Sequence, residues 1–174
     1  MFVMTIAVIL AAIAIPQGLA SIDRSRAWAA ARYLSARLAL ARSQAVMRSA
    51  TVALRFEEDQ REGFTFGVFV DGNGNGVRIR DISSGIDRRL DPPTRLSDLF
   101  PGVTIALSEG SNGDPVRIGS TSLMSFTPLG TATSGTIYLR GRDGSQFGVR
   151  VLGATGRTRV LRYVPSTGEW TAGF

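Results

Sequence analysis

The sequence has no cysteine, no histidine and no lysine. Without cysteine there is no disulfide, no thiolate nucleophile and no cysteine-type zinc site. That absence does not identify a compartment, since oxidising compartments allow disulfides without requiring them. Without histidine there is no Ser-His-Asp triad, no Cys-His pair and no imidazole metal ligand. Most hydrolytic routes close with it. Without lysine, all 20 basic residues are arginine, which points to a compositional bias in the genome. The net charge of +6 needs a partner or a solvated face, and by itself does not indicate nucleic acid.

What is present suits one compact domain with an extra segment. The chain has 174 residues, 44% of them hydrophobic, enough for a packed core. Most of the 20 glycines lie from Gly63 onward, which favours a turn-rich β domain in the C-terminal two-thirds. Charge is uneven. Residues 24–48 carry six arginines and no acid, residues 57–91 eight acids and five arginines, and residues 140–162 six arginines and one acid, Asp143.

Residues 1–15 read MFVMTIAVILAAIAI, without charge. As helix this run is roughly 22 Å long, short of a hydrocarbon core of ~30 Å. A signal peptide wants a basic n-region, and nothing basic precedes the run; Gly18-Leu19-Ala20 before Ser21 imitates only a cleavage site. A buried core helix is a second reading. A membrane helix continuing upstream of Met1 fits best.

The run Ala11-Ala12-Ile13-Ala14-Ile15-Pro16 resembles the end of the hydrophobic half-helix of type IV pilins and pseudopilins. With Pro16 on the family proline, the resemblance puts the mature N-terminus six residues before Met1. The family's leader, processing site and signature glutamate would then lie upstream of the given residues. Six further residues lengthen the span to roughly 31 Å, enough to cross.

Beyond Pro16 the pattern becomes amphipathic. Ala27, Ala31, Leu34, Leu38, Ala41 and Ala45 follow 3–4 spacing, and alanine favours helix. Arg26, Arg37 and Arg48 recur every eleven residues, on nearly one side. One helix to about Ala50 is expected, with a bend at Pro16. Strands are predicted over residues 51–57, 64–70, 103–108, 123–126, 136–140, 146–152 and 157–163, with no useful helical pattern after residue 50. Residues 142–145 and 153–156 read as hairpin turns. The expected fold is α+β: a long N-terminal membrane and stem helix (1–20 and 21–50), then an antiparallel β-sandwich-like domain (51–174).

This order is also similar to GspH/FimT-type minor pseudopilins, whose β-rich domain follows the stem directly. Further likeness lies in Ala41-Arg42-Ser43-Gln44-Ala45, in Val70-Asp71-Gly72-Asn73-Gly74-Asn75-Gly76, in Phe126-Thr127-Pro128-Leu129-Gly130 and in Gly156-Arg157-Thr158-Arg159.

Three clusters are candidate sites. Asp71, Asn73 and Asn75 match the first half of a calcium loop, whose alternate oxygens can converge on a hard cation. The twelfth position is Ile82 rather than glutamate, with Asp81 and Asp87 as nearby substitutes. The same residue types form ordinary turns. In FimT-like members a Gly-Arg-x-Arg element is associated with DNA binding, and the resemblance carries this to Arg157 and Arg159. Arg162 and Arg150, with Arg140 and Arg142, extend the patch. Arginine forks grip phosphate bidentately, and such binding is strongly salt-dependent. The alternative is a basic hairpin that is solvated or meets acids of a neighbouring subunit. Glu57, Glu58, Asp59 and Glu62 read as a solvated turn rather than a carboxylate pair across a cleft. Trp28 and Trp170 suit the helix–sheet seam and the tail.

The sequence therefore implies a structural and assembly subunit, not an enzyme, with no cofactor and no P-loop of its own. The resemblance implies other pilins or pseudopilins as partners through the N-terminal helix (Ile13, Ile15 and Pro16), and the inner membrane as anchor. An assembly ATPase and a platform protein would act indirectly. The system is a type II secretion pseudopilus or a type IV pilus. The alternatives are a DNA-capture subunit and an exported soluble β protein released from a signal peptide.

Overall fold

The structure, a computed structural model, describes residues 2–61, 63–108 and 111–173, with side chains described from residue 21 onward. One helix, α1 (Phe2–Arg48), leads the chain. The expected membrane half-helix, with Ile13, Ile15 and Pro16, lies outside the residues whose side chains are described. Among the described residues no helix is long and apolar enough to cross a membrane.

The stem's buried face is the one the 3–4 spacing marks. Ala27, Ala31, Leu34, Leu38, Ala41 and Ala45 are all sealed from solvent, joined by Ala30. Small side chains on this face let the helix sit close to the sheets. The helix ends where Ser49 takes a positive φ of 50°. The Ala50 amide then donates to the Ala45 carbonyl, a left-handed C-terminal stop usually filled by glycine. The chain turns back there into the first strand.

That strand, β1 (Val52–Asp59), pairs antiparallel with β2 (Gly63–Val70) and with β7 (Leu123–Phe126). Two two-residue strands, β3 (Arg88–Arg89) and β4 (Thr94–Arg95), extend β2. The other sheet runs β11-β10-β9-β8-β5, from Glu169–Ala172, Arg157–Val164, Gln146–Leu152, Gly135–Arg140 and Thr104–Ile105, and β6 (Val116–Ile118) also pairs with β8. Alternating apolar residues explain the long strands: Val52, Leu54 and Phe56 face one core with Ile137, Leu139, Val149 and Val151 and with the stem. Both sheets and α1 thus share one core, as the α+β expectation requires.

Two short helices depart from the expectation of none after residue 50: α2 (Ile79–Ser83) and α3 (Leu96–Leu99). Each is about one turn, too short for a 3.6-residue period to register in sequence. The expected strand over 103–108 is trimmed to the two residues of β5.

Candidate functional site

The β9–β10 hairpin carries the arginines singled out in the sequence, and its register sorts them. Arg159 lies directly opposite Arg150, and Arg157 opposite Leu152. Opposed residues of an antiparallel pair share a face, as do residues two apart on one strand. Arg150, Arg157 and Arg159 therefore stand together on the outer face, all exposed. Thr136 continues the row from Arg150, and Arg117 from Thr136. The Arg150 Nε donates to Thr136 Oγ1 at 3.4 Å. Arg117 stacks over the Tyr138 ring at 5.2 Å. A shallow groove of about 490 Å³ runs between Arg117 and Arg150. Among the described residues none of Arg117, Arg150, Arg157 and Arg159 forms an ion pair.

Arg162 is not part of that row. It pairs with Phe147, on the helix-facing side where Val149, Val151 and Thr158 also lie. There Thr158 exchanges a 2.8 Å hydrogen bond with Ser35 of the stem. The strand period of two separates residues 157 and 159 from 162. Arg117 was not singled out in the sequence; β6 has only three residues, and the row is visible only once register is known.

The 71–76 loop is organised around its own acids. Asp71 Oδ1 accepts from the Asn73 and Gly74 amides at 3.1 and 2.8 Å, and Oδ2 from the Gly76 amide at 2.7 Å. The Asn73 side-chain oxygen accepts from the Asn75 amide at 3.3 Å. The Asn75 amide group donates to Asp81 at 3.0 Å. Buried Asp87 accepts from the Gly72 and Arg78 amides at 3.0 and 2.9 Å, and Asp81 is buried as well. These oxygens satisfy backbone donors that would otherwise be left unmatched. Among the described residues no group of three or more acids is placed to hold a metal ion.

Of the acidic cluster, Glu58 and Asp59 are exposed at the β1–β2 turn and Glu57 bridges Arg55 at 2.8 Å; Glu62 lies outside the described residues. Trp28 packs on Phe147 at the stem–sheet seam, with ring centres 5.7 Å apart. Trp170 sits between Tyr138 and Tyr163, 5.3 Å from each.

Three of the sequence motifs converge on Arg42. Its Nε donates to the Gly130 carbonyl at 3.0 Å. Gly156, at φ 59°, packs against both: a Cβ added there would lie 2.4 Å from the Gly130 oxygen and 2.9 Å from Arg42 Cδ. Only glycine fits that approach. The stem, the loop after β7 and the β9–β10 turn are locked together at this point.

Residues 30–156 match the GspH family, described as type II transport protein GspH. The chain belongs to the GspH family. The GspH match takes in Arg42, the 71–76 loop, Gly130, Arg150 and Gly156, and stops one residue short of Arg157. No curated protein matches the chain by sequence. Among solved structures, the chain is similar in fold to the minor pseudopilin EpsH from the type 2 secretion system of Vibrio cholerae. The TM-score is 0.51 at 15% identity, covering 79% of this chain and 97% of that one. The GspH fold is thus a pseudopilin-like α+β fold, an N-terminal helix followed by antiparallel sheets.

Proposed function

We propose that this GspH-family chain is a minor pseudopilin, a structural subunit of a type II secretion pseudopilus without catalytic activity. One observation carries the reading: a single 47-residue helix supplies the β domain's core from Ala27 to Ala45 and leaves the N-terminal apolar run as its continuation. At 1.5 Å per residue that helix is about 70 Å long, far more than the domain needs. The N-terminal run would anchor the subunit in the inner membrane with the β domain in the periplasm. In the filament it would pack against other pseudopilins. An assembly ATPase and platform protein supply the work.

The test is the intact mass and N-terminal sequence of the protein from its native membranes. A mature chain beginning about six residues before Met1 with an N-methylated residue is the expected result. A chain beginning near Ser21 would mean an exported soluble domain and overturn the reading.

A second reading, DNA capture at a filament tip, is favoured by the outer-face row of Arg150, Arg157 and Arg159. Three adjacent guanidinium groups without acid partners suit a phosphate backbone. Arg157→Gln with Arg159→Gln should abolish DNA retention at matched salt while leaving assembly intact. Retention equal to the unmodified protein would end this reading.

A further inference from the structure

The outer face of the β9–β10 hairpin carries charge that its own chain does not answer. Arg150, Arg157 and Arg159 stand exposed there, and among the described residues none of them pairs with an acid. The same face continues in aromatics. Tyr138 lies two residues along β8 from Thr136, the residue opposite Arg150, and Tyr163 lies four residues along β10 from Arg159, with Trp170 opposite it. Residues an even number apart on a strand, and residues directly opposite, share a face. Arginine beside half-buried tyrosine and tryptophan is the composition of an interface hot spot rather than of a merely solvated sheet.

The matching carboxylates lie beyond the far side of that sheet. A groove of about 590 Å³ is lined there by Glu57, Glu58 and Asp114, with Phe64 and Pro115. Glu58 and Asp114 are exposed. Arg55 lines the groove too and bridges Glu57, whose side chain stays 42% exposed. Three carboxylates against one arginine leave the groove acidic. Asp114 leads into β6, which pairs with β8. From β10 to β6 is three strand spacings, roughly 14 Å of sheet. Arg117 stands between, its Nε donating to the Asp114 carbonyl at 3.2 Å. The hairpin arginines and the acidic groove of one molecule therefore sit side by side and cannot close on each other. A molecule displaced sideways can bring them together.

We infer that the outer face of the β9–β10 hairpin docks a second copy of this chain, which presents its Glu57–Glu58–Asp114 groove to Arg150, Arg157 and Arg159. Guanidinium forks take carboxylates bidentately. The two surfaces come from different parts of the chain, so the contact is heterologous. Each copy keeps one surface of each kind free, and a further copy can add. This contact does not depend on the anchoring of the N-terminal run. It adds a junction between β domains to the packing proposed above. Nucleic acid would use the same arginines and leave the acidic groove idle, which separates the two in the test.

The full chain in detergent micelles is followed by sedimentation velocity over a range of protein concentrations. The expected result is reversible association that weakens between roughly 0.05 and 0.5 M salt. Arg157→Glu with Arg159→Glu should weaken it about tenfold, and Glu57→Arg with Glu58→Arg by as much. Mixing the two variants should restore association. Each reversed surface then meets a reversed partner, and each unmodified surface an unmodified one. Circular dichroism checks each fold. Should a reversal unfold the domain, Arg159→Gln and Glu58→Gln replace it, each expected to weaken association about threefold. A chain that stays monomeric at every concentration overturns the contact. So does association that neither reversal weakens, as packing through the stem alone would give, and so does a mixture no better than its separate variants. Arginine reversal that abolishes retention of a DNA duplex while association is unchanged also overturns it, as the row would then serve nucleic acid.

Discussion

Two glycine-rich turns of this protein read alike in sequence and differ in what they leave free. The 71–76 loop turns its polar atoms on itself: Asp71 and Asn73 serve its own backbone amides, and behind them Asp87 serves the Gly72 and Arg78 amides and Asp81 the Asn75 side chain. The 153–156 turn spends its glycine on packing against Arg42 and Gly130, while the arginines that follow stay exposed. A turn motif thus joins residues that shape the chain with residues that can meet a partner. Only hydrogen-bond accounting separates them.

The comparison breaks first at Gly156. Gly156→Ala puts a methyl 2.4 Å from the Gly130 oxygen at a left-handed φ. It should cost about 3–4 kcal/mol, lowering the melting temperature by roughly 10 °C in circular dichroism. A loss below about 1 kcal/mol would mean that the lock on Arg42 is loose. Next is Asp87→Ala, which removes a buried carboxylate that accepts from the Gly72 and Arg78 amides and should cost about 2–3 kcal/mol in denaturant unfolding. Calcium sharpens the same contrast. Because the oxygens of Asp71 already serve amides, about 1 mM calcium should move the melting temperature by less than about 1 °C; a rise of several degrees would show that the loop reopens around the ion. Smallest is Arg157→Gln with Arg159→Gln, which should leave stability within about 0.5 kcal/mol, since neither fork holds the fold.

The stem was legible because six residues at 3–4 spacing can face the core only if the helix is continuous, and all six are buried. The longer strands were legible from alternation. Strands β3, β4 and β6, of two or three residues, offer no alternation to read, and their pairing depends on distant partners. For the arginines, parity alone sets Arg162 apart from Arg157 and Arg159. That Arg159 meets Arg150 needs the register, which the turn between the strands fixes. The self-satisfied loop was the least legible: Asp71 shows the same residue types whether its oxygens face amides or an ion. Arg42 appears in the sequence only as one residue of a motif, and nothing near it announces Gly130 and Gly156 as its neighbours.

Because the domain's core residues Ala27 to Ala45 and the N-terminal apolar run belong to one helix, no slack linker separates that run from the fold. A pull on that run along the helix axis loads the whole stem–sheet seam in shear, sharing the strain among all its contacts at once, whereas a sideways pull peels them one turn at a time. The β domain is thus expected to hold better against a pull along the stem than against one across it.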